Sequence, residues 1–442
     1  MNHVFPRQAN NALIKAVSSE GCYIVDENGK RYFDGSGGAA VSCLGHGDPA
    51  VVQAIQDQVA KLAYAHTSFF TNDPAEELAD ILIEHAAGDL DRVYFVSGGS
   101  EAVEAALKLA RQYHVENGEP QRQHLIARRQ SYHGNTLGAL AVGGNQWRRA
   151  QFEPILINAS HIAPCYEYVD RRDDETAFEY GQRIAQELED EILRLGEDKV
   201  IAFLAEPVVG ATLGAVPPVE GYFKRIREIC DKYGVLLILD EVMCGMGRTG
   251  HLFACEAEGI VPDILCIAKG LGAGYQPIGA MLCTKNIYET IGAGSGFFQH
   301  GHTYVGHPVA CAAGVAVLNA IIRRGLINDV RTRSDQLFAA LQAKFGQHPH
   351  IGDIRGRGLF IGLEIVKDRD TKTPLDPTLK AAANFKKLAF EAGLACYPMS
   401  GTRDGKSGDH VILAPPFITT QDQISEIVEK LDIAFGKLDY AP

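Results

Sequence analysis

The sequence predicts an α/β protein: a parallel sheet covered by helices on both faces, with a smaller α/β unit beside it. Three observations lead there. Short apolar runs alternate with amphipathic helical segments over some two hundred residues. The runs are apolar throughout rather than at every second position, which is the pattern of strands buried on both sides. After about residue 330 the succession changes to separate strands and helices, so a second, smaller unit follows.

The elements follow in order. GCYIVDENGKRYFDG carries an apolar alternation broken at Glu27-Asn28-Gly29 and reads as a hairpin. From Pro49 the pattern is helical, with Val51, Val52, Ile55, Val59 and Leu62 on one face. A second helix follows Asn72-Asp73-Pro74. The buried strands are Arg92–Val96, His124–Arg128, Val200–Leu204, Val235–Leu239, Asp263–Ala268 and Gly279–Cys283. Val305–Arg324, rich in small residues, is a long helix closing that part. Beyond it come a strand (Leu359–Val366), a helix (Thr378–Ala392), a short strand (His410–Leu413) and a last helix from Thr420. The division expected is a large domain over 50–330 and a small one combining 1–49 with 331–442.

Composition removes several functional classes. The 442 residues suggest two to four domains at about 100–200 residues each. A net charge of −13 repels phosphate backbones and anionic lipid, so neither nucleic acid nor membrane is an expected partner. No apolar run approaches the roughly 18–20 residues that cross a bilayer. The opening MNHVFPRQANNALIKAV lacks the apolar core of a signal peptide. Ten scattered cysteines, with no CxxC pair and no nearby His at a ligand spacing, point to a reduced cytoplasmic compartment, with no disulfide framework and no metal site.

Four places carry chemistry. Ser97-Gly98-Gly99-Ser100 joins an apolar strand to a helix start, where free N–H groups and the helix dipole seat an anion. Ser100 as a plain N-cap is the alternative. Tyr132, in Ser131-Tyr132-His133-Gly134, ends a strand where α/β sheets bind ligands and is able to stack on a flat ring, or simply to pack on a helix. Asp240 ends a five-residue apolar strand. A buried acid needs a partner there: a metal, an arginine or a protonated heterocycle nitrogen. The absence of GxxxxGK[ST] removes the nucleotide-triphosphatase reading. Lys269 ends another apolar strand among glycines, where desolvation turns an amine into a nucleophile for carbonyls; a surface lysine is the bland alternative. Together, a phosphate seat, an aromatic, a buried acid and a lysine at strand ends suit pyridoxal phosphate.

The motifs SGGSEA, SYHG, AEPV, LILDEVMCGMGRTG, IAKGLGAGYQPIGA and GHTYVGHP, in this order, resemble those of class III aminotransferases, the omega-amino acid and amine transaminases of pyridoxal-phosphate (PLP) fold type I. The resemblance implies a large domain with a mainly parallel seven-stranded sheet. It implies that Lys269 holds PLP as an internal aldimine and later moves the proton, with the amino group passing through pyridoxamine phosphate. Asp240 would pair with the pyridinium nitrogen, Tyr132 and Val242 would flank the ring, and Gly99 and Ser100 would bind the phosphate. Glu206 would stand beside the ring. Thr303 would reach a phosphate across a homodimer interface, and further pairing of dimers stays open.

Two departures concern the substrate. Where amine–pyruvate members carry a bulky aromatic, this chain has Ala40, which leaves room for a larger donor unless Phe5, Tyr23 or Phe69 fills it. The mobile arginine that receives a keto-acid carboxylate in the family has one counterpart in the stretch before Pro415-Pro416, Arg403, on a longer loop. The function expected is transfer of an amino group from an amine or omega-amino acid to pyruvate or a similar 2-oxo acid. An aminomutase, a dialkylglycine decarboxylase or a PLP-binding protein without turnover are the alternatives.

Overall fold

The computed structural model describes residues 3–9 and 13–440, so positions 1–2, 10–12 and 441–442 of the expected small domain lie outside the described residues. The chain opens with three antiparallel strands, β1 (Ala16–Glu20), β2 (Tyr23–Asp26) and β3 (Arg31–Asp34). The turn between β2 and β3 is tied by Asp26, whose Oδ1 accepts from the backbone N–H of Asn28 and of Lys30, both at 2.9 Å.

The helix from Pro49 runs to Lys61, capped by Asp48, and the next covers Asp73–His85, capped by Asn72. The expected apolar face of the first is split. Val51 is buried and Ile55 partly so, whereas Val52 and Val59 are exposed. Positions 51, 55 and 58 form the stripe that meets the core, the 52/59 pair lies on the neighbouring stripe, and Leu62 is exposed just past the helix end.

The central sheet has seven strands: β4 (Leu90–Val96), β5 (His124–Arg128), β6 (Ser160–Ile162), β7 (Val200–Ala205), β8 (Leu236–Asp240), β9 (Ile264–Ile267) and β10 (Gly279–Thr284). Their order is β4-β10-β9-β8-β7-β5-β6. Only β10 is antiparallel to its neighbours. Both faces are covered, as the unbroken apolar runs require. Phe203, Ala205, Leu237 and Leu239 belong to one core, and Ala202, Leu204, Leu236 and Ile238 to the other, beneath the helix Gly99–Glu116. β6 is an added element, three residues long at the sheet edge.

The closing helix spans Pro308–Arg323. After it come β11 (Ile351–Arg357), β12 (Phe360–Ile365), β13 (Leu394–Ala395), β14 (Tyr397–Ser400) and β15 (Asp409–Leu413), then the last helix Gln421–Lys437. A sheet of order β11-β12-β15-β14 forms here, while β13 joins the N-terminal strands beside β3. The helix expected from Thr378 starts at Ala381, because Lys380 at φ +50° breaks it from the 3₁₀ turn Pro377–Leu379.

Candidate active site

Five segments leave the same edge of the central sheet and converge. β4 is followed by Ser97–Ser100, β5 by Tyr132, β7 by Glu206, and β9 by Lys269, while β8 ends in Asp240. Their side chains enclose a cavity of about 480 Å³ lined by Gly99, Ser100, Tyr132, Glu206, Asp240, Val242 and Lys269, with Val41 and Met243. Crevices at the carboxyl ends of parallel strands are where such sheets bind ligands.

The polar groups are held by specific partners. Asp240, 4% exposed, accepts from the backbone N–H of Val242 at 3.0 Å and meets His133 Nδ1 at 2.8 Å. A carboxylate only accepts, so Nδ1 carries the hydrogen, and His133 Nε2 is buried without a partner. Glu206 accepts from Tyr132 N at 3.1 Å and from Gly210 N at 2.7 Å, and its burial pushes its carboxyl up. The backbone of Lys269 sits at φ +44°, a left-handed conformation costly for a side chain with a Cβ. Its amine is held below the ordinary value by desolvation, against the opposing pull of the Asp240 and Glu206 carboxylates.

The residues present fit pyridoxal phosphate. The 18-residue helix Gly99–Glu116 begins without a side-chain cap, so donors at its first turn face the cavity with the positive end of the dipole. A Cβ at Gly99 would lie 2.9 Å from Val242 Cγ1, and one at Gly134 (φ +140°) 2.6 Å from Ser100 Oγ; only glycine leaves this cradle open. An aromatic wall (Tyr132), a buried acid (Asp240) and a desolvated amine (Lys269) supply what a charged, aldehyde-bearing pyridine ring needs.

Three expected residues lie outside this cavity. Thr303 is exposed, its carbonyl accepting from Tyr64 Oη at 2.9 Å. It belongs to the loop bounding an adjoining recess of about 330 Å³, lined by Tyr304, Gly306 and His307, that shares Ser97, Gln276 and Pro277 with the main cavity. Ala40 is buried at φ +63° in a cluster with Val208, Ala211, Met243 and Ala414; its neighbour Val41 is the lining residue. Phe5 and Phe69 are exposed and Tyr23 packs on Phe33, so none of them fills the space. Arg403 borders a separate cavity of about 390 Å³, its Nε 3.7 Å from Glu364 and its Nη2 donating to the Lys372 carbonyl at 3.2 Å.

Two further residues, His133 in the cavity lining and Arg148 against the Tyr132 ring, have no assignment from the sequence. His133 was visible only as the neighbour of Tyr132. Arg148 lies in the one-turn helix Gln146–Arg149, with its guanidinium carbon 4.6 Å from the Tyr132 ring centroid. Neither carries a periodic signal.

Glu241, next to Asp240, is fully buried and accepts from Ala254 N at 2.5 Å and Cys255 N at 2.7 Å. Burial pushes its carboxyl up from 4.5 to about 7. The fold therefore favours its neutral form, and that contribution to stability is lost as pH rises from about 4.5 through 7. Relative to Glu241→Gln, the parent loses roughly 3 kcal/mol over that window. Thermal unfolding of both proteins between pH 4.5 and 8 checks this, and a gap in midpoint that does not change with pH contradicts it.

The family model described as Aminotransferase class-III matches residues 4–435. An uncharacterized aminotransferase of Schizosaccharomyces pombe is 48% identical over 435 residues, covering 97% of this chain and 94% of the relative. The diaminobutyrate–2-oxoglutarate transaminase of Halomonas elongata is 35% identical, covering 96% and 90%. Among solved structures, an (S)-enantioselective omega-transaminase from Thermomicrobium roseum superimposes with a TM-score of 0.92 at 33% identity, covering 98% and 96%. An omega-transaminase of Pseudomonas jessenii in complex with PMP does so with a TM-score of 0.92 at 31%, covering 98% and 96%.

Proposed function

The chain belongs to the class III aminotransferases, PLP-dependent enzymes of fold type I, and from that membership we propose that it moves an amino group from an amine or omega-amino acid to pyruvate or a similar 2-oxo acid. The observation that carries the reading is the meeting of Lys269 and Asp240, from adjacent strands, in one cavity headed by an uncapped helix. When bound, pyridoxal phosphate supplies an electron sink and carries the amino group between the two half-reactions.

In this reading the chain's residues divide the work. Gly99 and Ser100 hold the phosphate at the helix start. Tyr132 and Val242 flank the ring. Asp240, oriented by His133, keeps the proton on the ring nitrogen. Lys269, whose amine desolvation holds below its ordinary value, would hold the cofactor aldehyde and serve as base and acid at the substrate carbon. Glu206 borders the ring.

A homodimer is part of the proposal, with Thr303 contributing to the partner's site. Exposed Phe69, Phe70 and Tyr304 lie about the recesses next to Gly306, and burying them gives the association its apolar area. The division into 50–330 and 1–49 with 331–442 is supported by the pairing of β13 with β3. A cytoplasmic location is supported by ten buried, unpaired cysteines.

Absorbance spectra test the activity. The purified protein with PLP is expected to show a visible band that bleaches with an amino donor and returns with pyruvate. Return only with 2-oxoglutarate, the acceptor named for the Halomonas elongata relative, moves the acceptor. Bleaching with release of carbon dioxide, or no response to any donor, contradicts amino transfer.

A further inference from the structure

We propose that Arg148 receives the carboxylate of the 2-oxo acid acceptor in this chain and so decides its preference for keto acids over uncharged carbonyl compounds. The inference rests on the amino-transfer reading above and goes beyond it by naming the recognising residue.

Such an acceptor brings a negative charge into a cavity that already holds the Asp240 and Glu206 side chains. Binding it without a cation nearby is unfavourable. Arg403, the arginine that its place in the sequence suggests, lies at a different cavity. It faces Glu364, a 1%-exposed acid, and the Lys372 carbonyl. The cavity it borders is a separate one, where Arg129 and Arg183 stand with Asp170, Glu187 and Asp404, and it shares no lining residue with the cavity of Lys269 and Asp240.

Arg148 has the opposite character. Its backbone is fixed: Asn145 Oδ1 accepts from Arg148 N at 3.2 Å, and Asn145 Nδ2 donates to Gln130 Oε1 at 3.0 Å, just past the end of β5. The Gln146–Arg149 turn is packed under the 401–408 loop, where a Cβ at Gly405 would meet Trp147 N at 3.2 Å. The guanidinium lies over Tyr132 at 4.6 Å and within 5.8 Å of the Trp147 ring centroid. Among the described residues it forms no ion pair, and its buried Nε has no hydrogen-bond partner. A guanidinium stacked on rings keeps its in-plane donors free for a bidentate carboxylate. Its charge also reaches the cavity, being one of the influences that lower the Lys269 amine. Arg7 influences Tyr132 too, but it lies in the exposed leading segment and lacks this fixed seat.

The test compares kcat/KM for pyruvate with that for propanal, a carbonyl acceptor of the same length without the carboxylate, in PLP-loaded enzyme. Arg148→Gln is expected to lower the pyruvate-to-propanal ratio by about 10–100-fold, mostly through pyruvate KM, with Arg148→Lys recovering part of it. Arg403→Gln is expected to change the ratio by less than about threefold, the scale of a solvated charge. A second readout does not depend on turnover. Trp147 is the chain's one tryptophan, so titrating the loaded protein with propionate is expected to give a saturable fluorescence change in the parent that is lost in Arg148→Gln.

An unchanged ratio in both Arg148 variants, a collapse in Arg403→Gln alone, or no saturable change in the parent would overturn the assignment. Loss of the visible band in Arg148→Gln with the ratio intact would also overturn it, since Arg148 would then merely position Tyr132. A parent with neither band nor turnover brings down amino transfer itself, an outcome distinct from these.

Discussion

Replacing Lys269 with alanine is expected to lower kcat for amino transfer by a factor on the order of ten thousand, because one side chain is proposed as both covalent anchor and proton carrier. The environment leaves no substitute. No hydrogen bond is formed by the Lys269 amine among the described residues, and Arg148, the other cation whose charge reaches it, is no base at neutral pH. Lys269→Arg keeps the charge but not the nucleophile and is expected to be as inactive. Stability moves the other way. The variant removes a desolvated amine, so its thermal midpoint should equal or exceed the parent's, the usual sign of a site held for function rather than stability. Steady-state kcat and a thermal melt on the same preparations check both halves. An active Lys269→Ala enzyme contradicts the assignment, and an inactive one that melts well below the parent attributes the loss to folding.

Asp240→Asn is the second large effect. The change keeps shape and burial while removing the charge proposed to face the ring nitrogen. The single amide oxygen of Asn cannot accept from both Val242 N–H and His133 Nδ1–H, as the two carboxylate oxygens do, so one contact is lost unless the imidazole reverses its tautomer. One preorganised electrostatic partner is worth about 3–4 kcal/mol at the transition state, so kcat should fall roughly 100- to 1000-fold. His133→Asn, which leaves the acid in place but loosens it, should cost less, about tenfold. Single-turnover rates for the donor half-reaction measure both. An Asp240→Asn enzyme within threefold of the parent would show that the charge at 240 is not used.

What the sequence revealed, and what it hid, has a physical pattern. Strands buried on both faces appear as unbroken apolar runs, so six of the seven central strands were legible. Ser160–Ile162 was not, because three residues at a sheet edge carry no period. The reversed direction of β10 was invisible too, since hydrophobicity says nothing of strand polarity. In β11 the apolar Ile351 and Ile354 are diluted by Gly352, Asp353 and Arg355, the last drawn inward to Glu364 at 2.7 Å. At the site, residues that end buried strands stood out, because Asp240 and Lys269 are costly where they are. Arg148 and His133 come from a one-turn helix and a loop, and only the folded backbone sets them beside Tyr132 and Asp240.

The pairing of β3 with β13 has a consequence for how the chain is made. Phe33 lies opposite Leu394 in that parallel pair, so the opening strands emerge from the ribosome long before their neighbour exists. At about 5–20 residues per second, the β3 edge waits roughly 20–70 s with its backbone groups unpaired. During synthesis it is therefore a sticky border, open to the wrong strand or to another nascent chain. A chain cut short before residue 394 would keep that border for good. Truncations that remove the last quarter of the protein should thus yield aggregates rather than a soluble cofactor domain.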